Sequence, residues 1–227
     1  MKIGILGTGM VAKSLAAKLS SIGHQVMIGT RDVDKTQERI ETDAYGNPPF
    51  SEWRKNHSKV KLENFSDAAE FGELVINATA GGASLMALQM VGHSRLKGKI
   101  LIDVANPLDF SEEGPPTLLV CNTDSLAEQI QRTLPETKVV KTLNTLNANL
   151  MVDPNKLGKG DHHIFVSGND QSAKNAVIDY LKEWFGWKHI IDLGDITTAR
   201  GTEMLLIIWV RLMSKLGTPM FNFKIVQ

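Results

Sequence analysis

Residues 1 to 32, MKIGILGTGMVAKSLAAKLSSIGHQVMIGTRD, set a glycine pair between two kinds of apolar periodicity, and that order leaves few folds open. Before the pair, Ile3, Ile5 and Leu6 form a short apolar run suited to a strand buried on both faces. After it, Val11, Leu15, Leu19 and Ile22 recur at helical spacing beside Ala12 and Ala16, with Lys13 and Lys18 expected to point outward. A lone G-x-G-x-x-G/A pattern is common; strand before and helix after make GTGMVA, residues 7 to 12, a candidate phosphate turn. Gly7 permits the tight turn, Gly9 lets a pyrophosphate approach the backbone, and Ala12 lets the helix pack close to the strand. Thr8, Met10 and Val11 complete the loop, where the helix N-terminus offers unpaired N–H groups to phosphate.

The second strand, in HQVMIGTRD, is expected to finish near Thr30, beside the adenosine ribose. An NAD-preferring chain places Asp or Glu there for the ribose 2′-hydroxyl. This chain has Thr30 and then Arg31, while Asp32 reads more simply as the cap of a helix over Lys35 to Thr42. A guanidinium at that position can fork onto a 2′-phosphate, a contact worth about 1.5 to 3 kcal/mol. The expected cofactor is therefore NADP(H).

Strands and helices then alternate, apart from residues 43–59, DAYGNPPFSEWRKNHSK, which read as an irregular insertion. The fold class expected is α/β, a Rossmann-type doubly wound, mostly parallel sheet. Residues 1–150 form the NADP-binding domain, and residues 151–227 are a strand and helix extension that completes the sheet and the acceptor cleft. Ligands in such sheets lie outside the carboxyl ends of the strands. Those ends fall at Gly7 to Val11, Thr30 and Arg31, Ala78, Thr79 and Ala80, Ala105, Asn106 and Pro107, and Leu143 to Thr145. Asn106 and Asn144 are the polar candidates for the nicotinamide carboxamide or the acceptor; the alternative is that they are turn residues bonding their own backbone.

Lys plus Arg equals Asp plus Glu at 25 each, so bulk charge selects neither nucleic acid nor an anionic membrane. The single cysteine, Cys121, excludes an internal disulfide and suggests a reducing, cytoplasmic setting; it reads as a small core residue. The first strand is expected to begin at once and to leave no room for a signal peptide, and the apolar stretch Met204 to Val210 is too short to span a bilayer. His162 and His163 are adjacent and point to opposite faces of a strand, with no third ligand at a metal spacing. No nucleophile signature appears. The remaining chemistry is the cofactor's own, with no catalytic side chain required for hydride transfer. Lys141 is the one candidate proton donor, as in a small hydroxy acid dehydrogenase; it reads instead as structural or solvated. A non-catalytic NADP(H) sensor is the other alternative.

Taken together, GTGMVA, IGTRD, DVANPLDF, VVKTLNT, VSGND and DLGDITTARGTEM resemble the coenzyme F420-dependent NADP oxidoreductase family over nearly the full length, and the STEAP metalloreductase domains are similar in fold. The resemblance implies hydride transfer between NADP(H) and a small-molecule acceptor, F420 or a flavin such as FAD or FMN. It puts Gly7, Thr8, Gly9, Met10 and Val11 on pyrophosphate and nicotinamide, Thr30 and Arg31 on the 2′-phosphate, Ala78 and Thr79 along the ribose, and Asn106 and Asn144 toward the reacting rings. A last helix, 198–216, is apolar almost all round and is expected to make a homodimer contact. Arg31→Ala should weaken NADPH about tenfold or more while leaving NADH nearly unchanged, as titration of each will show; equal losses remove the 2′-phosphate assignment.

Overall fold

The computed structural model describes residues 1–42 and 46–227; Asp43, Ala44 and Tyr45, which open the expected insertion, lie outside the described residues. In chain order the first half comprises β1 (Lys2–Leu6), α1 (Met10–Ser21), β2 (Gln25–Thr30), α2 (Val33–Glu38), α3 (Phe50–Lys55), β3 (Lys61–Asn64), α4 (Phe65–Phe71), β4 (Leu74–Asn77), α5 (Gly81–Val91), α6 (His93–Leu96) and β5 (Ile100–Asp103). There follow β6 (Leu108–Asp109), β7 (Thr117–Leu118), α7 (Leu126–Thr133), β8 (Lys138–Thr142), α8 (Ala148–Val152), β9 (His163–Gly168), α9 (Gln171–Tyr180), β10 (His189–Gly194) and α10 (Ala199–Leu216).

Eight strands form one sheet in the order β10-β9-β8-β5-β4-β1-β2-β3. Six run parallel from β3 to β8, and β9 turns antiparallel to β8 and carries β10 parallel to itself. The strand order reverses between β1 and β4, which opens a crevice at their carboxyl ends. Two apolar layers cover the sheet. Ala12, Leu15, Ala16 and Leu19 of α1 pack with Val177 and Leu181 on one face, while Ala68, Leu88, Ile130 and Ala199 close the other. The central strands are short and wholly buried, as Leu74–Asn77 shows, so their apolar runs have no solvent face to display.

Several local expectations need correction. Asp32 does cap a helix, accepting from Lys35 N at 3.0 Å, but the helix is Val33–Glu38 and stops short of Thr42. The stretch 43–59 is not irregular throughout, because Pro49 opens the helical turn Phe50–Lys55, whose Phe50 is buried in the core. Lys13 is buried, not outward, since the same segment folds over it. Cys121 is exposed. It follows a small antiparallel pair, β6 with β7, that the αβ rhythm did not suggest. Asp195 caps the short turn Ile196–Thr198 that leads into α10. No helix among the described residues is long and apolar enough to cross a membrane.

Two half-buried carboxylates at helix starts, Asp124 before the α7 cap Ser125 and Asp170 capping α9, tie stability to acid pH. Hydrogen bonds from Arg132 hold the Asp124 carboxyl at about 2, and those from Ser172, the Ala173 amide and Lys138 hold Asp170 at about 2. Both groups titrate near 4 when unfolded, so their stabilisation is complete above about pH 4 and is lost as pH falls through about 2. Urea midpoints should therefore drop between about pH 4 and about pH 2, and the drop should shrink in Asp124→Asn; an unchanged drop shows that other carboxylates dominate.

Candidate functional site

The first turn of α1 is built to leave donors unpaired. Gly7 has φ 114°, a backbone that L side chains rarely adopt, and a Cβ there would lie 2.5 Å from the Ala78 carbonyl oxygen. Its N–H donates to Gly29 O at 2.9 Å, which ties the turn to β2. Gly9 is different. Its backbone is ordinary and extended, it offers no side-chain cap, and a Cβ there would meet no atom within 4 Å. Space is therefore open at the start of this 12-residue helix, and its first turn carries no acidic residue, the arrangement that receives phosphate.

From Thr8 and Gly9 a cleft of about 560 Å³ runs along the end of β2. Lys13, Arg31, Lys35 and Arg39 line it against two acids, Asp32 and Glu41. Asp32 is engaged as the α2 cap: the Lys35 amide lowers its pKa, and the Lys35 ammonium lies 3.5 Å from its second oxygen. Thr36 Oγ1 donates to Asp32 O at 2.7 Å, so the 2.8 Å contact with Thr30 uses the Thr30 hydroxyl proton and leaves the Thr30 oxygen as an acceptor. The far wall is Pro48, Pro49 and Phe50, held down by Lys13 Nζ donating to Pro48 O at 2.7 Å. Sequence reasoning found Thr30 and Arg31 here but missed Lys35, Thr36 and Arg39. The signal was present as two basic residues four apart, Lys35 within α2 and Arg39 just past its end.

The later strand ends are joined by a buried polar network. Asn77 at the end of β4 accepts from Thr79 Oγ1 at 2.7 Å and donates to Asp103 Oδ1 at 2.8 Å. Ala80 precedes α5, whose Gly81 abuts the Asn106 carbonyl so closely that a Cβ would stand 2.0 Å from it. Asn106 and Asn144 come together as expected of neighbouring strand ends, but they bond each other. Asn106 Nδ2 donates to Asn144 O at 2.8 Å and Asn144 Nδ2 donates to Asn106 Oδ1 at 3.0 Å and to Thr202 O at 3.1 Å. Lys141 is fully buried, with Asp103 at 2.8 Å and Glu203 at 2.9 Å. Burial by itself would lower the Lys141 pKa, but the two carboxylates more than offset it and the ammonium is held above its ordinary range. Its remaining proton goes to Ala105 O, so Lys141 is structural, has no donor left for a substrate, and is not solvated. Among the described residues no group of three His, Cys, Asp or Glu side chains could hold a metal ion.

These residues fit NADP(H): an open backbone cradle for pyrophosphate, and a cation-rich cleft where the 2′-phosphate would fall. The family described as NADP oxidoreductase, coenzyme F420-dependent, matches residues 2–107. An F420-dependent NADP reductase of Methanocaldococcus jannaschii is 31% identical over 207 residues, 90% of this chain and 89% of that protein. The crystal structure of an Arthrobacter sp. FB24 protein, assigned provisionally as an F420-dependent NADP reductase, superposes with a TM-score of 0.96 at 57% identity over the whole of both chains. Metalloreductase STEAP3 of Rattus norvegicus is 27% identical over 90% of this chain, which spans 36% of that protein's length.

Gly9 offers a clean test of the cradle. Because nothing lies within 4 Å of a Cβ there, Gly9→Leu should change unfolding free energy by no more than about 1 kcal/mol yet abolish NADP(H) binding. Retained binding in calorimetry removes the phosphate from this turn.

Proposed function

The chain belongs to the coenzyme F420-dependent NADP oxidoreductase family, and from that premise we propose that it passes hydride between NADP(H) and a flat redox ring, an F420 deazaflavin or a flavin. As an NADP-dependent oxidoreductase it needs a coenzyme grip at one end of the crevice and a bare reacting ring at the other. The bare first turn of α1 facing open space at Gly9 carries this reading. The name of the Methanocaldococcus relative favours F420 as acceptor.

In this reading Gly7, Thr8, Gly9, Met10 and Val11 hold the pyrophosphate, and Arg31 with Lys35 takes the 2′-phosphate. Thr30 lies beside the adenosine ribose, where its oxygen can accept from a ribose hydroxyl. Ala78, Thr79 and Ala80 border the nicotinamide ribose, while Ala105, Asn106, Pro107 and Asn144 form the acceptor side. When bound, the nicotinamide supplies or receives the hydride. The protein contributes orientation, which can account for about 7 to 11 kcal/mol of a barrier, and excludes water. No side chain is assigned as a catalytic acid or base.

A second copy of the chain is proposed to cover the outer face of α10, where Met204 and Ile208 are exposed at 36% and 51%. A cytoplasmic site is proposed too, in keeping with a single free cysteine.

Anaerobic rapid mixing of the NADPH-bound protein with F420, FAD and FMN in turn should show oxidation of NADPH matched by reduction of at least one acceptor. Tight NADPH binding with no acceptor reduced overturns the enzyme reading and leaves a coenzyme sensor.

A further inference from the structure

Three ionisable side chains meet out of solvent behind the crevice, and hydride transfer uses none of them. Lys141 of β8 donates to Asp103 Oδ2, to Glu203 Oε1 and to the Ala105 carbonyl. The other Asp103 oxygen accepts from the Ala105 N–H at 3.2 Å. The peptide groups on both sides of Ala105 are thus held by one ion pair. Glu203, reaching in from α10, also accepts from Leu126 N at 2.8 Å and Ala127 N at 3.1 Å, so it caps α7 while it neutralises Lys141.

The neighbouring residues carry the same constraint forward. Asn106 is bonded to Asn144, and Asn144 to the carbonyl of Thr202, the residue before Glu203. Between Lys141 and Asn144 sits Leu143 at φ 58°, a left-handed backbone that residues other than glycine seldom take. Such a conformation persists where the surroundings over-determine it, and such sites cluster where geometry matters to function. A buried ion pair is a poor source of net stability, because desolvating the charges costs about as much as their attraction returns. What it does provide is a fixed position for the groups it touches.

We propose that Lys141 is a positioning residue for the redox half of the crevice: acting through Asp103 and the two Ala105 peptide groups, it fixes the turn 105–107 against which the nicotinamide ring is held. The assignment rests on the NADP(H) reading above. It predicts a split between the two ends of one coenzyme, because the adenosine end lies on β2 and α2, outside the network.

The experiment compares Lys141→Met and Glu203→Gln with the wild type, using 2′,5′-ADP as a probe of the adenosine end and NADP(H) as a probe of both. In Lys141→Met the affinity for 2′,5′-ADP should stay within about twofold, as for a distant independent site. NADP(H) should bind about tenfold more weakly and single-turnover hydride transfer should slow about 10- to 100-fold. Deuterium uptake over residues 103–108 of the ligand-free protein should rise more than elsewhere. Glu203→Gln removes one of two buried negative charges and should move every readout in the same sense by less; it decides the matter if Lys141→Met does not fold. Equal weakening of both ligands, or no change in any readout, overturns the proposal. Failure of the wild type to bind 2′,5′-ADP counts against the coenzyme reading instead, and unchanged uptake over 103–108 then still overturns the positioning role.

Discussion

An ammonium whose three protons are all spent inside the protein holds the centre of this fold together. Lys141 cannot be placed in a dry interior without carboxylates, and Asp103 and Glu203 supply them from a neighbouring strand and from the last helix. The cluster carries one net negative charge, counting one cation and two anions, and that excess is met by backbone N–H groups: Ala105 on Asp103, and Leu126 and Ala127 on Glu203. The two on Glu203 open α7, where a helix dipole favours an anion. Strands β5 and β8 and helices α7 and α10 therefore cannot shift independently, since each supplies a group that another would leave unpaired.

The two ends of the crevice are built by opposite physics. At the proposed adenosine end, Arg31, Lys35 and Arg39 are exposed cations before, on and just after the short helix α2, free to adjust to a phosphate and subject to screening by salt. At the proposed redox end, the Asn106 amide is tied at both its nitrogen and its oxygen, and the Asn144 nitrogen makes two bonds. Affinity can tolerate side chains that reorganise. Hydride transfer cannot, because its rate falls steeply with small errors in the approach of two rings. A recognition end of surface charge and a reacting end of buried hydrogen bonds match those separate demands.

The sheet was legible because its signals are local. A strand, a glycine turn and an amphipathic helix each declare themselves within a dozen residues, and Ala78, Ala105 and Asn144 do follow the carboxyl ends of β4, β5 and β8 as the sequence pattern indicates. What stayed hidden depended on contacts distant in sequence. Lys13 has the position of a solvated helix residue until Pro48 is brought over it, 35 residues along the chain. Prolines and a glycine in GNPPFSEWRK signalled a loop, yet Pro49 sits at the one place where proline admits a helix, its start. From sequence Lys141 reads as structural or solvated, and only register decides between them: the pairing of Asp103 with Lys141 across β5 and β8 puts opposite charges side by side in a fully buried strand pair.

Helix α10 connects these levels. Its inner side carries Thr202 and Glu203, whose carbonyl and carboxylate hold Asn144, Lys141 and the start of α7. Its outer side carries Met204 and Ile208, apolar and exposed in the single chain. Residues 203 and 204 are neighbours in sequence but lie on different sides of the helix, so one rigid element presents an apolar face outward and the anchor of the redox turn inward. A partner pressed on the outer face would resist any tilt of α10, and a tilt is the motion that would draw Glu203 away from Lys141 and release Ala105. Association and hydride geometry would then be coupled through a single helix, with the buried ion pair transmitting the constraint from a protein surface to the end of β5.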